Sequence, residues 1–239
     1  MSYADVDDAR LYDAQNPWGP GDEFYLSLIS AAGDVLDVGC GTGALLKRAR
    51  RDGHRGRLVG LDPGGGMLAV AREEPSVEWV SGVLRPGAYS GEFDLVTMTG
   101  HAFQELRTDD EILSTLCGMR DAIRPDGRIA FETRNPDARA WESWDGASFD
   151  VPYEGTTVTV RYEVRKVEGD LVTFAEITDG GRWHDQVDLG TLRFLPRIEL
   201  DRFLAEAGLQ VETYYGDWDR GPLTEDSPEI IALVRRVPA

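Results

Sequence analysis

Lysine is nearly missing from this chain. Lys47 and Lys166 are the only two in 239 residues, and arginine carries almost all of the positive charge. Cysteine is scarce as well: Cys40 and Cys117 make no disulfide framework, and neither stands at metal-ligand spacing from His54, His101 or His184. Base is outnumbered by acid, with 25 Lys and Arg against 43 Asp and Glu, a formal net charge of −18. Such a field repels phosphate backbones and predicts no nucleic-acid partner. The one arginine-rich stretch, 48–57, is divided between helix flanks and a loop. No apolar run reaches the length of a membrane span. The opening residues, Met-Ser-Tyr-Ala-Asp-Val-Asp-Asp, are acidic and unlike a signal peptide. Together these absences predict a soluble cytoplasmic protein that holds no metal and meets no membrane.

The chain is long enough for one α/β domain with a sizeable insertion. Residues 11–21 are aromatic and turn-rich and predict a non-helical arm. A helix follows over 22–32, with Phe24, Tyr25, Leu28 and Ile29 on one side. Strands are expected at 34–39, 57–62, 77–80, 93–98 and 128–133, and helices at 42–52, 66–73 and 108–123. Thr108 and three acids open the last of these helices. This alternation implies a parallel sheet covered by helices on both faces.

The rhythm then changes to period two. Thr157 to Val164 and Leu171 to Ile177 alternate, turns fall at Glu168-Gly169-Asp170 and Asp179-Gly180-Gly181, and a further strand spans 183–195. The reading is a three- or four-stranded antiparallel insertion. A helix over 198–207 ends at Gly208. Strands at 209–215 and 229–235 have no helix between them and should pair antiparallel. No repeat or low-complexity segment interrupts the pattern.

The most informative run is Val35-Leu36-Asp37-Val38-Gly39-Cys40-Gly41-Thr42-Gly43. It is a buried strand, a glycine turn and the start of a helix, where the backbone can approach a ligand and unpaired N–H groups point outward. Gly39-x-Gly41-x-x-Ala44 also satisfies the loose dinucleotide fingerprint. Asp37 puts a carboxylate where a nicotinamide fold usually has an apolar residue. The second strand ends in Asp62, about 20 residues on, where an acid holds ribose hydroxyls. Pro63-Gly64-Gly65-Gly66-Met67-Leu68 then feeds a helix.

In order and spacing these segments resemble motifs I and II of the class I S-adenosylmethionine-dependent methyltransferases, small-molecule branch, and the resemblance covers nearly the whole chain. It implies a Rossmann-like seven-stranded methyltransferase sheet, mostly parallel with the last strand antiparallel, and an antiparallel β insertion between strand 5 and the last helix. The implied division is an arm and helix over the cofactor (1–33), a cofactor-binding core (34–135 and 196–239) and a β lid (136–195). The implied activity is methyl transfer from S-adenosylmethionine to an oxygen or nitrogen of a small molecule, leaving S-adenosylhomocysteine. The rival readings are a non-catalytic S-adenosylmethionine-binding module and an NAD-dependent oxidoreductase.

The resemblance also implies a site. Gly39, Cys40, Gly41 and Gly43 line the methionine and ribose part, with Asp37 orienting the ammonium directly or through neighbours. Asp62 and Pro63 take the ribose end. Met67 packs either on adenine or on its own helix. Relatives carry an acid after strand 3, absent here from Ser81-Gly82-Val83-Leu84, so the backbone around Gly82, Val83 and Leu84 is expected to read adenine instead. Thr99 and Gly100 face the methyl group, and His101 is either a general base or a turn cap. Tyr12 and Trp18 form a lid or pack on the first helix. Gln104, Arg134, Asn135, Tyr153, Trp183 and His184 are expected around the acceptor, in or beside an insertion that roofs the cavity or forms a dimer face.

Overall fold

The computed structural model describes residues 4–237. Two helices lead in, α1 (Val6–Gln15) and α2 (Pro20–Ala31). The core alternates β1 (Val35–Val38), α3 (Ala44–Arg51), β2 (Leu58–Asp62), α4 (Gly65–Ala71), β3 (Glu78–Ser81), β4 (Phe93–Met98), α5 (Asp109–Ala122) and β5 (Ile123–Arg134). The insertion holds β6 (Ser148–Tyr153), β7 (Thr156–Glu168), β8 (Leu171–Gly180) and β9 (Trp183–Arg193). Then come α6 (Arg197–Glu206), β10 (Leu209–Tyr215) and β11 (Glu229–Arg236).

The main sheet has seven strands in the order β10-β11-β5-β4-β1-β2-β3. β1 to β5 run parallel, and β11 lies antiparallel between β5 and β10. Central strands buried on both faces explain the near-continuous apolar runs in β1, β2 and β4. One face packs α5 and α6 through Ile112, Leu116, Met119, Leu200 and Phe203. The other packs α2 and α3 through Phe24, Tyr25, Ile29, Leu45 and Leu46. Thr108 and Glu111 close a reciprocal cap on α5, as the acidic first turn suggested. The fold expected from the sequence is the fold observed.

Three local expectations are corrected. Residues 11–15 belong to α1 and not to an irregular arm. Asp5 caps that helix by accepting from the N–H groups of Asp7 and Asp8, and Ala9 and Leu11 are buried. The apolar period starts before residue 11, so a window opened there cuts the helix in half. Residues 123–127 do not separate the helix from the strand expected at 128–133 but belong to β5, looping out within it: pairing against β4 steps from Ile123 opposite Phe93 to Arg128 opposite Leu95. The insertion sheet, ordered β6-β7-β8-β9, includes a strand over Ser148–Tyr153 where none was expected.

α1 is the clamp between the two sheets. On one side Ala9 packs on Met67 and Val70 of α4. A Cβ on Gly66 would collide with the backbone of Asp5, so that glycine permits the close approach. On the other side Leu11 packs with Val151, Val158, Val160 and Trp183 of the insertion. No helix among the described residues is long and apolar enough to cross a membrane.

Candidate active site

The glycine turn after β1 is folded back on β2: the N–H groups of Gly39 and Cys40 both reach the Leu61 carbonyl, at 2.7 and 3.2 Å. Gly39, Gly41 and Gly43 all have left-handed φ, 72°, 55° and 76°. They are glycines for different reasons. A Cβ on Gly39 would come within 2.8 Å of the Ala102 side chain, and one on Gly43 would overlap the Trp79 ring. Gly41 has nothing within 4 Å and faces open space.

Asp62 holds this turn from β2. One oxygen accepts from the Gly41 N–H at 2.8 Å and the other from the Gly64 N–H at 2.7 Å. Burial raises its carboxyl above the usual range, and the two amide bonds oppose that shift. Asp37 lies beneath the turn, 1% exposed, accepting from Thr97 Oγ1 at 2.8 Å. Burial pushes its pKa up to about 7 against the pull of Thr97, with Glu132 and Asp62 adding to the rise. Asp37 is thus almost wholly enclosed by protein at the foot of the turn. The Cys40 thiol points at β2 beside Gly60, and burial raises its pKa, so it is a packing group and not a nucleophile.

At the carboxyl end of β4 the chain turns through Thr99, Gly100 and His101. His101 has φ 59°, rare for a side chain this large. Two glutamates hold it there. Its backbone N–H donates to Glu132 Oε1 at 2.6 Å, and its ring Nε2 meets the Glu229 carboxylate at 2.9 and 3.0 Å. The second Glu132 oxygen accepts from the Tyr25 hydroxyl. Burial raises both the Glu132 carboxyl and the Tyr25 phenol. Tyr12, from α1, brings its hydroxyl to 3.6 Å from where a Gly100 Cβ would stand. Burial, then Asp13 and Glu132, pushes the Tyr12 phenol up to about 12. Asp13 in turn accepts from Thr42 of the glycine turn at 2.6 Å, so α1 is pinned across the mouth of the sheet.

Gln104 and Arg134 join core to insertion. Gln104 is fully buried, accepts from Arg134 Nη1 at 2.8 Å and donates to the Arg193 carbonyl at 3.1 Å. The Arg134 guanidinium lies over Trp144, 5.0 Å from the ring centre. Burial lowers its pKa, which Glu229 and Glu132 counter.

The structure thus gathers Tyr12, Asp37, Gly41, Asp62, Gly100, His101, Gln104 and Arg134 around the ends of β1, β2, β4 and β5. Other residues singled out from sequence lie elsewhere. Trp18 donates to Glu23 at 2.6 Å and stacks under Arg48, so it seals the α2–α3 junction and not the mouth of the sheet. Met67 packs on Ala9 and Val70. Leu84 is a core residue against Gly118 of α5, whereas Gly82 has open space around it and Val83 is 56% exposed. Pro63 is exposed beside the buried Asp62. Asn135 is spent on structure: its amide donates to the carbonyls of Ser227 at 2.9 Å and Glu225 at 3.1 Å. Trp183 donates to Asp8 at 2.8 Å and Tyr153 packs edge-on to it, so both tie the insertion to α1. His184, next to Trp183 on the same strand, must point the opposite way and is exposed. A surface groove of about 470 Å³, lined by Asn135, Arg197, Tyr214 and Ile230 among others, opens on the face of β11 opposite to Glu229 and takes no part in this cluster.

Sequence reasoning missed Glu132, Glu229 and Tyr25. The signal for Glu132 was present: a lone carboxylate inside the apolar run Ile129-Ala130-Phe131 of a central strand demands a partner. Among the described residues no cluster of side chains could hold a metal ion.

A family model described as a methyltransferase domain matches residues 35–127. The cypemycin N-terminal methyltransferase of a Streptomyces species is 26% identical over 212 residues, covering 84% of this chain and 82% of that protein. The ubiquinone biosynthesis O-methyltransferase of Pectobacterium atrosepticum is 32% identical over 114 residues, and there the chain spans less than half of its relative, 45%. Among solved structures, S-adenosylmethionine-bound CalS10, an amino pentose methyltransferase from Micromonospora echinaspora, superposes with a TM-score of 0.71 at 26% identity, over 95% of each chain.

Proposed function

We propose that this chain, which belongs to the class I S-adenosylmethionine-dependent methyltransferases, moves a methyl group to an oxygen or nitrogen atom of a small-molecule acceptor, with His101 as general base. The observation that carries the proposal is the bond between His101 and Glu229 beside Gly100, at the end of β4.

The residues present suit the cofactor. Gly41 leaves open space at the turn, and each Asp62 oxygen has one amide partner and a further lone pair for a ribose hydroxyl. When bound, S-adenosylmethionine supplies a methyl group activated by a sulfonium centre. The chain's own part is placement and proton handling. Tyr12 closes over Gly100 and excludes water; Gly100 lets the acceptor come close. In-line placement alone accounts for about 7–11 kcal/mol of barrier lowering in well-oriented systems. With Nε2 turned to Glu229, Nδ1 of His101 is the nitrogen left for the acceptor. Glu229 selects the tautomer with the proton on Nε2 and stabilises the imidazolium once Nδ1 takes the acceptor's proton. Glu132 holds the backbone that aims the ring.

The names of the relatives support both oxygen and nitrogen as the receiving atom: one is an O-methyltransferase and another acts on an N-terminus. Turnover of a panel of phenols and amines, read by mass increase of the acceptor, tests the proposal. His101→Asn is expected to lose turnover while keeping S-adenosylhomocysteine affinity. Full activity in that variant would remove His101 as the base.

A further inference from the structure

Both groups that hold His101 lead back to two pieces of the chain, α2 and the loop between β10 and β11. The ring is held by Glu229, whose own N–H donates to the Gly216 carbonyl at 3.3 Å where that loop closes. The backbone is held by Glu132, which accepts in turn from the hydroxyl of Tyr25 on α2, 107 residues earlier in the chain. The loop grips α2 beside that tyrosine. The Trp218 ring lies 6.0 Å from the rings of both Phe24 and Tyr25, and a Cβ on Gly21 would stand 3.3 Å from it. Arg220 reaches Ser27 Oγ at 3.1 Å. Tyr25 is 2% exposed, and the proposed proton transfer makes no direct use of it.

The Tyr25 hydroxyl has a definite task there. Glu132 is 1% exposed in a central strand. Burial works against its charged form, whereas the His101 ring, the Tyr25 hydroxyl and the His101 N–H all favour it. A charged oxygen binds the His101 N–H more strongly than a neutral carboxyl does. The turn needs that strength, because φ 59° is a left-handed conformation that a side chain disfavours. Burial lifts the Tyr25 phenol well above its usual range, with Glu132 adding to the rise, so Tyr25 keeps its proton and stays a donor. The dependence runs from the Tyr25 hydroxyl to the charge on Glu132, then to the His101 turn and the direction of its ring.

We propose that Tyr25 is a positioning residue for the reaction: acting through Glu132, its hydroxyl locks the left-handed turn at His101 and so aims the imidazole. The inference rests on the reading of His101 as the base. Tyr25 acts from beneath the site, so its loss changes the aim of the ring and leaves cofactor binding intact.

Nitrogen-15 labelling of histidine tests this without any acceptor, since the chain has three histidines. The His101 signals are the ones missing from His101→Asn. In wild type its amide proton, 2.6 Å from a carboxylate, should lie farthest downfield of the three; the His54 N–H bonds a carbonyl at 3.0 Å. In Tyr25→Phe that amide is expected to move upfield toward the other two, and the His101 ring nitrogens toward those of the exposed His184. The His54 and His184 signals should stay in place, and S-adenosylhomocysteine affinity within about twofold of wild type. Ile29→Val, a packing change on the same helix, should lower Tm and leave the His101 signals unmoved. Glu132→Gln keeps an acceptor without the charge and should move the amide as Tyr25→Phe does; it answers the same question if Tyr25→Phe fails to fold. Unmoved His101 signals in these variants overturn the inference and leave the base reading standing. Equal movement in Ile29→Val overturns it too, since it marks general packing. Full turnover by His101→Asn defeats the base reading and this inference with it.

Discussion

His101 and Glu229 bond at 2.9 Å although 128 residues separate them in the chain. The antiparallel placement of β11 beside β5, with Glu229 opposite Arg134, brings the carboxylate to the end of β4. If Glu229 orients the ring and steadies its charged form, Glu229→Gln lowers kcat by about 10²-fold, within the usual range for general-base catalysis. The S-adenosylhomocysteine Kd is expected to stay within about twofold. Steady-state kinetics and calorimetry on one preparation check both.

The glycines of the turn separate folding from binding. Gly43→Ala puts a Cβ into the Trp79 ring at left-handed φ, and a loss of about 2–4 kcal/mol is expected in urea unfolding. Gly41→Ala meets only open space, so its stability falls by about 1–2 kcal/mol, the left-handed backbone cost alone. Cofactor affinity should nevertheless drop at least about tenfold in Gly41→Ala, because the added methyl occupies the ligand's side of the turn.

Asp37 gives the fold a pH signature. Its carboxyl titrates near 7 in the folded protein because of burial, and near the ordinary 3.8 when unfolded. Between those values the native state keeps a proton that the unfolded chain has released, so this group makes stability fall as pH rises from about 4 to about 7. Asp37→Asn retains an acceptor for Thr97 and removes the titration. Its Tm should exceed that of wild type at pH 8, and the decline between pH 5 and 7 should flatten. Parallel melting curves of both proteins over that range are the check.

Trp183 donates to the buried Asp8 and so ties β9 to α1. Trp183→Phe leaves that carboxylate unpaired in the seam, and a loss of about 1–3 kcal/mol is expected by chemical denaturation. Asp8→Asn with Trp183 intact should cost less, since the amide oxygen still accepts the indole N–H.

Local pattern encodes the alternating strands and helices of the core, the glycine turn and the closing antiparallel pair, and these were legible in the sequence. Long-range pairing was not recoverable in the same way. Glu229 looks like any acid before an apolar run until β11 is set beside β5. Glu132 needs Tyr25 and His101, each distant in sequence, to explain it. Trp183 and His184 are neighbours whose fates differ only because a strand alternates its faces. Tyr12 was expected over the cofactor and does reach Gly100, but on a helix whose cap, Asp5, precedes the segment that drew attention.

Cofactor binding is the central claim, and isothermal titration of S-adenosylhomocysteine into wild type and Asp62→Ala tests it most directly. The account predicts one site of micromolar affinity, weakened about 100-fold when the carboxylate that positions Gly41 and Gly64 is removed. Equal affinity in the variant, or no binding in wild type together with binding of NADH, would contradict it.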